Sequence, residues 1–442
     1  MLPYEEIDSI NFGHYSSEEI VKNAVCEITE TKLTGSEGLY DERMGTLNQS
    51  GNCLSCKLNY TECPGHFGYI ELNTPIMHPL YHRQIISFLK CFCFSCYNFA
   101  FLEDHLILNS ITKYKGSTRF ALILDKLEKL DRCQHCDYPR SKIIYNISES
   151  AIEISSKKKK SVVLNDEYIK KIFDNVKDSD ITLLGFDPKM THPRNLILTC
   201  LPVLPPISRP YVVADGKMSD DDLTISYLEI IKANNSLVSK DINETKKSKL
   251  IMTIKFRIKT LMNNSNGKAK HNTNQRPLKG IKERLTGKDG IIRNNLMGKR
   301  TNQSGRTVIG PDPTVRTDEM IVPQHIAKTL TVMETVNELN KSHLEELVNN
   351  HKANYILLKG VTRIHVKYAS RIKKEDGSYD KRYIKLNVGD VVERHLQNGD
   401  VVLLNRQPTL HKCSMLAKKI IIRPYKTFRF SLASTKTFNA DQ

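Results

Sequence analysis

Apolar positions along this chain repeat with two periods, and the change from one to the other marks its elements. Residues 17–29 carry a helical pattern, and HPLYHRQIISFLK at 78–90 reads as a second helix. DDLTISYLEIIKANNSL at 221–237 opens on acidic residues, which suit the positive end of a helix, and then keeps apolar side chains at helical spacing. Residues 326–352 read as helical too. LILTCLPVLPPISRP at 196–210 starts as an apolar strand and ends in prolines, which forbid both helix and central strand. Over 353–438 the short β-branched runs YILLKGV, RYIKL, DVVLLN and KIIIRP alternate with polar turns, predicting a small barrel or sheet.

Between these runs, GSEGLYDERMGT at 35–46 is turn-rich, and SSKKKK at 155–160 reads as an exposed basic loop. MNNSNGKAKHNTNQ at 262–275 is polar throughout and reads as a mobile loop. There is no internal repeat. The mixture of periods predicts an α+β fold, and 442 residues suffice for two or three domains with cores of their own.

Composition adds little to that picture until charge is counted. With 39% hydrophobic and 26% charged residues the chain reads as globular and not disordered. No apolar run approaches the roughly 18–20 residues that span a bilayer. The start, MLPYEEIDSINFGHYSSEEI, lacks the basic end and apolar centre of a signal peptide, so the expectation is an intracellular protein with no membrane partner. The formal net charge is +17 and the pI about 9.2. Lys and Arg gain affinity for phosphates by releasing counterions, so this excess suits a polyanion, although a merely solvated basic surface has the same composition.

Reducing compartments keep thiols apart, so eleven cysteines point to metal and away from disulfides. Cys53, Cys56, Cys63 and His66 stand as C-x2-C-x6-C-x2-H. Two ligands three positions apart can meet one ion from a tight turn, and a second such pair completes the tetrahedron that zinc prefers. With four protein ligands no position stays open for water, so the site reads as structural. Cys93, Cys96, Cys133 and Cys136 form a second pair of C-x2-C knuckles; Cys91 competes with Cys93 as a ligand, and His135 offers an imidazole in place of a thiolate. Cys26, Cys200 and Cys413 have no partner spacing and read as packed thiols.

Arg276 to Arg306 holds nine basic residues and two acids, Glu283 and Asp289, with glycines at 280, 287, 290 and 298 that allow close backbone approach to a phosphate chain. Aromatic residues are absent from it, which argues against base stacking and for sequence-independent backbone tracking.

Several of these segments occur together in a known order. CLSC…CPGHFGYIEL, GLYDERMGT, LTCLPVLPPISRP, RLTGKDGIIRNNLMGKRTNQSGRTVIGPDP, VPQHIAKTLT, NRQPTLHKCSM and FNAD closely resemble the amino-terminal third of the largest subunit of multi-subunit DNA-directed RNA polymerase, of the RNA polymerase II type found in eukaryotes, archaea and large DNA viruses. The resemblance covers nearly the whole chain from about residue 35. It implies a zinc-bearing clamp over residues 1–305, followed at 306–442 by an incomplete active-site module with part of a double-psi β-barrel. Residues 207–222 resemble the lid, 262–280 the rudder, and RLTGKDGIIRNNLMGKR the switch 2 hinge that touches template phosphates. Lys288, Arg293, Lys299, Arg300 and Arg306 are the implied phosphate contacts. Arg406, with Pro408 beside it, and Asn439 are implied to recognise the ribose of the incoming nucleotide, where a 2′-hydroxyl both donates and accepts.

One departure matters. The family motif continues as NADFDGD, whose aspartates hold magnesium, whereas this chain reads Asn439, Ala440, Asp441, Gln442. Magnesium requires several oxygen ligands, and only Asp441 is present. The expectation is therefore a chain inactive alone, whose gene is split or interrupted or whose product is truncated, with the remaining ligands on another polypeptide. Implied partners are the second-largest subunit, the remainder of the largest, the smaller subunits, the DNA template and the RNA–DNA hybrid. The implied compartment is the nucleus, or a viral cytoplasmic factory or virion. The competing class is a non-enzymatic, zinc-containing nucleic-acid-binding protein derived from the clamp.

Overall fold

Ser16 caps helix α1 (Ser17–Asn23): its hydroxyl accepts from the Glu19 N–H while the Glu19 carboxylate accepts from the Ser16 N–H, which satisfies donors that a helix start otherwise leaves unpaired. The structure is a computed structural model that describes residues 7–440 apart from 8–9, 11–12, 49–50, 103–109, 147–150, 157–158, 215, 239–242, 273, 359–361, 370, 374–378 and 382. The chain divides into two units, residues 1–298 and 299–442.

In the first unit, α1 ends well before residue 29, because the chain turns into the short strand β1 (Cys26–Glu27). β1 lies parallel to β2 (Gly68–Met77), which pairs antiparallel with β6 (Ile197–Val203), the apolar run read as a strand. Ile70, Leu72, Ile76, Leu201 and Val203 point from this sheet into one core. The other wall of that core is a helix pair, α6 (Asp222–Leu237) and α7 (Glu244–Met262). α6 is the helix expected at 221–237; α7 has no counterpart among the expected helices. A second core gathers α2 (His82–Leu89), α3 (Gly116–Glu128), α4 (Asp166–Asp174) and α5 (Asp178–Leu184) against the antiparallel sheet β3 (Lys142–Asn146), β4 (Ala151–Ser156) and β5 (Lys159–Leu164). The SSKKKK segment belongs to the β4–β5 hairpin, where Ser156 pairs with Lys159; Lys157 and Lys158 lie outside the described residues. β7 (Val212–Ala214) and β8 (Lys217–Ser219) make a small hairpin, and α8 (Ile281–Leu285) is a single turn opening the basic segment.

The second unit carries two further sheets. The first is mixed, in the order β17 (Val401–Asn405), β18 (Met415–Arg423), β10 (Glu319–Pro323), β19 (Phe428–Phe430), β9 (Ile309–Pro311). Met320, Val322, Ile420 and Phe430 fill its core with Phe438. The second is antiparallel, in the order β11 (Thr331–Thr335), β16 (Val391–His395), β12 (Ala353–Leu358), β13 (Thr362–His365), with helix α10 (Lys341–Asn349) packed on it. The segment 326–352 is thus not one helix. Only α9 (Gln324–Thr329) and α10 are helical, and β11 separates them, because TVMET pairs with β16 from Thr331↔His395 to Thr335↔Val391. DVVLLN and KIIIRP are strands as expected; the described part of RYIKL, Tyr383–Leu386, is not, and Leu386 is instead a core residue. β14 (Arg371–Lys373) and β15 (Tyr379–Lys381) form a separate hairpin.

Candidate metal centres and nucleic-acid interface

Each C-x2-C pair folds as one repeated turn. In Cys53–Asn59 the Cys53 N–H donates to Leu58 O (2.8 Å), and the Lys57 N–H donates back to Cys53 O (2.9 Å). The same two bonds recur from Cys93 to Asn98 and from Tyr97 to Cys93, and again from Cys133 to Tyr138 and from Asp137 to Cys133. The fifth residue of each turn is left-handed: Lys57, Tyr97 and Asp137 have φ of 61°, 58° and 52°. That conformation disfavours a side chain by about 1–2 kcal/mol, so something must hold each turn closed.

The ligand atoms of Cys53, Cys56, Cys63 and His66 lie within 4.8 Å of one another, as do those of Cys93, Cys96, Cys133 and Cys136. Cys63 Sγ stands 3.7 Å from His66 Nε2, Cys93 Sγ 3.5 Å from Cys136 Sγ, and Cys96 Sγ 3.8 Å from Cys133 Sγ. Disulfide sulfurs would be about 2.05 Å apart. Four sulfurs placed about 2.3 Å from one tetrahedral ion stand about 3.8 Å apart, which fits the second group, and with an imidazole nitrogen at about 2.0 Å in place of one sulfur the first group fits as well. The Gly65 N–H donates to Cys63 Sγ and the Ser95 N–H to Cys93 Sγ, each at 3.4 Å, the orientation that supports a thiolate. Gly65 is required here: its φ is +82°, and a Cβ would lie 2.8 Å from Pro205 Cβ. Burial pushes the Cys63 thiol up to about 11 and the Cys96 thiol up to about 12, so a cation is needed to make them thiolates near neutrality.

Cys91 and His135 are not in the second group. Cys91 is fully buried in the core, its thiol donates to Ser87 O (3.3 Å), and burial drives its pKa far upward; His135 is exposed. Cys26 and Cys200 are buried free thiols, and Cys413 is half-buried.

The 262–275 segment repeats the knuckle backbone without the cysteines. The His271 N–H donates to Arg276 O (2.8 Å), the Gln275 N–H donates to His271 O (3.1 Å), and Gln275 is left-handed with φ 56°. Buried Asn264 closes its base: its side-chain N–H groups donate to Ala269 O (2.9 Å) and Leu278 O (2.7 Å), and its side-chain oxygen accepts from Ala269 N–H (3.0 Å). The described residues, which exclude Thr273, are therefore a tied hairpin where a mobile loop was expected.

Lys288, Arg293, Lys299, Arg300 and Arg306 are all exposed, and none meets a carboxylate among the described residues. Lys288 and Arg293 belong to the first unit and the other three to the second. A single π-helical turn, Ile292–Leu296, carries Arg293. Arg406 leaves β17 half-buried, and its guanidinium reaches Phe438 O at 3.5 Å, next to exposed Asn439, whose φ is 50°. The structure thus brings Arg406 to the Asn439 loop, with Pro408 exposed on the turn between β17 and β18; Asp441 lies outside the described residues.

Sequence comparison matches residues 4–296 to the family described as RNA polymerase Rpb1, domain 1, and residues 298–442 to RNA polymerase Rpb1, domain 2. The chain belongs to the Rpb1 family. Among Rpb1-family relatives, it is 35% identical to a probable DNA-directed RNA polymerase II subunit RPB1 homolog of Invertebrate iridescent virus 6, over 99% of this chain and 56% of that protein. It is 34% identical to DNA-directed RNA polymerase subunit Rpo1N of Methanothermobacter thermautotrophicus, over 99% of this chain and 52% of that one. The chain thus spans about half the length of these two relatives. Among the described residues no helix is long and apolar enough to cross a membrane.

Proposed function

We propose that the chain is the amino-terminal portion of the largest subunit of a DNA-directed RNA polymerase, and serves template-directed RNA synthesis from ribonucleoside triphosphates within a multi-subunit complex. The observation that carries this reading is the unbroken succession of the two family domains along the chain. Residues 1–305 act as the clamp and 306–442 as the active-site region, with the five-stranded mixed sheet of the second unit as part of a double-psi β-barrel.

Cys53, Cys56, Cys63 and His66 hold one structural zinc, and Cys93, Cys96, Cys133 and Cys136 another; the tetrahedral spacing of the ligand atoms supports both. Their task is to close turns whose apolar interior is small. Lys288, Arg293, Lys299, Arg300 and Arg306 bind nucleic-acid phosphates, supported by their exposure and by the lack of carboxylate partners among the described residues. Arg406 and Asn439 orient the ribose of the incoming nucleotide, supported by the contact between the Arg406 guanidinium and the chain next to Asn439. Asp441 offers one carboxylate to a magnesium ion, which when bound supplies charge stabilisation at the reacting phosphate; its other ligands lie outside these residues. The protein works inside the cell, in the nucleus or in a viral factory, with the second-largest subunit, the smaller subunits, template DNA and the RNA–DNA hybrid as partners.

Affinity purification of the chain from its native source, followed by mass spectrometry, tests the reading. Recovery of a second-largest polymerase subunit is the expected result. A chain that returns alone, or with nucleic acid only, replaces this reading with a clamp-derived binding protein.

A further inference from the structure

Two loops of the first unit end on the same few side chains. The 207–222 loop begins at the 3-10 turn Pro206–Ser208 and ends at Asp221, the cap of α6. Arg284 of α8 holds both ends: one guanidinium N–H donates to Ser208 O (2.8 Å), and another donates to the Asp221 carboxylate. The same Asp221 oxygen accepts the Leu223 N–H (2.9 Å), so the ion pair is built into the first turn of α6.

The 262–280 hairpin is held by the residues next door. Glu283, one position before Arg284, accepts from the N–H groups of Asn264 (3.2 Å) and Gly280 (2.9 Å) and from the Ser265 hydroxyl (2.9 Å). Asp222, one position after Asp221, accepts from the Arg276 guanidinium (2.7 Å) and the Lys279 N–H (3.0 Å). Asp222 is only 6% exposed, so its charge depends on these donors, with His271 a further 4.0 Å away. In the knuckle register His271 and Asn274 take the positions of the two cysteines, and Arg276 stands two residues past the second. Gly280 admits the close packing of the junction, since a Cβ there would lie 2.7 Å from Thr260 O.

We propose that α8 and the start of α6 form one positioning junction, in which Glu283–Arg284 and Asp221–Asp222 fix the 207–222 loop and the 262–280 hairpin together at the head of the basic segment. Neither loop can loosen alone, because Asp221 and Asp222 are consecutive at the start of α6 and Glu283 and Arg284 are consecutive in α8, with Asp221 and Arg284 holding the 207–222 loop and Asp222 and Glu283 holding the hairpin. A displacement of the basic segment therefore carries both loops with it. Only the functional consequence, a shift in where transcript parts from template, rests on the polymerase reading.

Amide hydrogen exchange on the full chain tests the junction with Arg284→Met, Glu283→Gln and the double variant. Arg284→Met removes the contacts to the 207–222 loop, and Glu283→Gln removes the charge and one of the two acceptor oxygens that hold the hairpin. A junction requires exchange to rise about tenfold in both 208–221 and 264–280, as expected when a charge-assisted hydrogen bond is lost, while β2 and β6 stay protected. The double variant then adds little to either single one. If each variant loosens only the loop it touches, and the two effects add, the junction is refuted. Should Arg284→Met also expose β2 and β6, Arg284→Lys keeps the charge but loses the fork, and the same comparison of the two loops decides. In the assembled polymerase, ribonuclease H mapping of Arg284→Met should show a displaced upstream hybrid edge. A wild-type complex with no RNA synthesis would overturn the polymerase reading and leave the exchange result standing.

Discussion

At the residue scale, the two metal groups differ in what their neighbours contribute. Cys53 and Cys63 are buried, whereas Cys136 is exposed, so the second site depends on Cys93 and Cys133 to shield it. Replacing Cys53 or Cys133 with Ser removes one of four ligands, and the zinc content of the purified chain should fall by about one ion per chain by elemental analysis. Unchanged content would sink the ligand assignment. Burial raises the thiols of Cys63 and Cys96, so the metal-free chain holds them protonated at neutral pH and zinc must displace those protons. Zinc binding should therefore weaken as pH falls from about 8 to about 6, measured by chelator competition. A pH-independent affinity would contradict thiolate ligation. The grouping of these Cys and His residues was legible from spacing alone, because a C-x2-C turn is local. The exclusion of Cys91 was not: it depends on Cys91 being buried in the hydrophobic core, which only packing decides.

At the scale of elements, the hairpin 264–280 carries the clearest stability prediction. Asn264 is 5% exposed and makes three hydrogen bonds to backbone, so Asn264→Ala should cost about 1–3 kcal/mol by leaving buried groups unpaired, read as a lowered melting temperature and faster exchange across the hairpin. An unaltered hairpin would show that Asn264 does not close it. The basic segment predicts a binding effect instead. Lys299→Ala and Arg300→Ala should each lower nucleic-acid affinity regardless of sequence and reduce the salt slope by about one. A change in sequence preference would argue for base readout instead. Helix α6 was legible because its acidic start and apolar spacing agree. Helix α7 was not, since Met252 and Phe256 are exposed among its lysines and blur the stripe formed by buried Ile254, Ile258 and Leu261. Strand β11 was hidden for a different reason: its pairing partner β16 begins at Val391, far along the chain, so local periodicity favoured the neighbouring helices.

At the scale of the whole molecule, both metal groups fall in the unit 1–298, while the unit 299–442 has hydrophobic cores of its own. Stripping zinc with a chelator should lower the melting temperature of the first unit and leave the second transition in place, followed by calorimetry of the full chain. Loss of both transitions together would mean that the second unit depends on the metal. By itself the sequence determined the family, the two four-residue Cys/His groups, the basic segment and the α+β class, because these rest on spacing, charge and motif order, which are properties of neighbours along the chain. Only the tertiary structure decided that residues 262–275 are tied down, that Arg406 reaches the Asn439 loop, that Arg284 meets Asp221, and that Asp222 meets Arg276. The long-range contacts among them join residues from 14 to 76 positions apart. The physical reason is that a hydrogen bond across such a separation becomes favourable only once the cores have already brought the segments together.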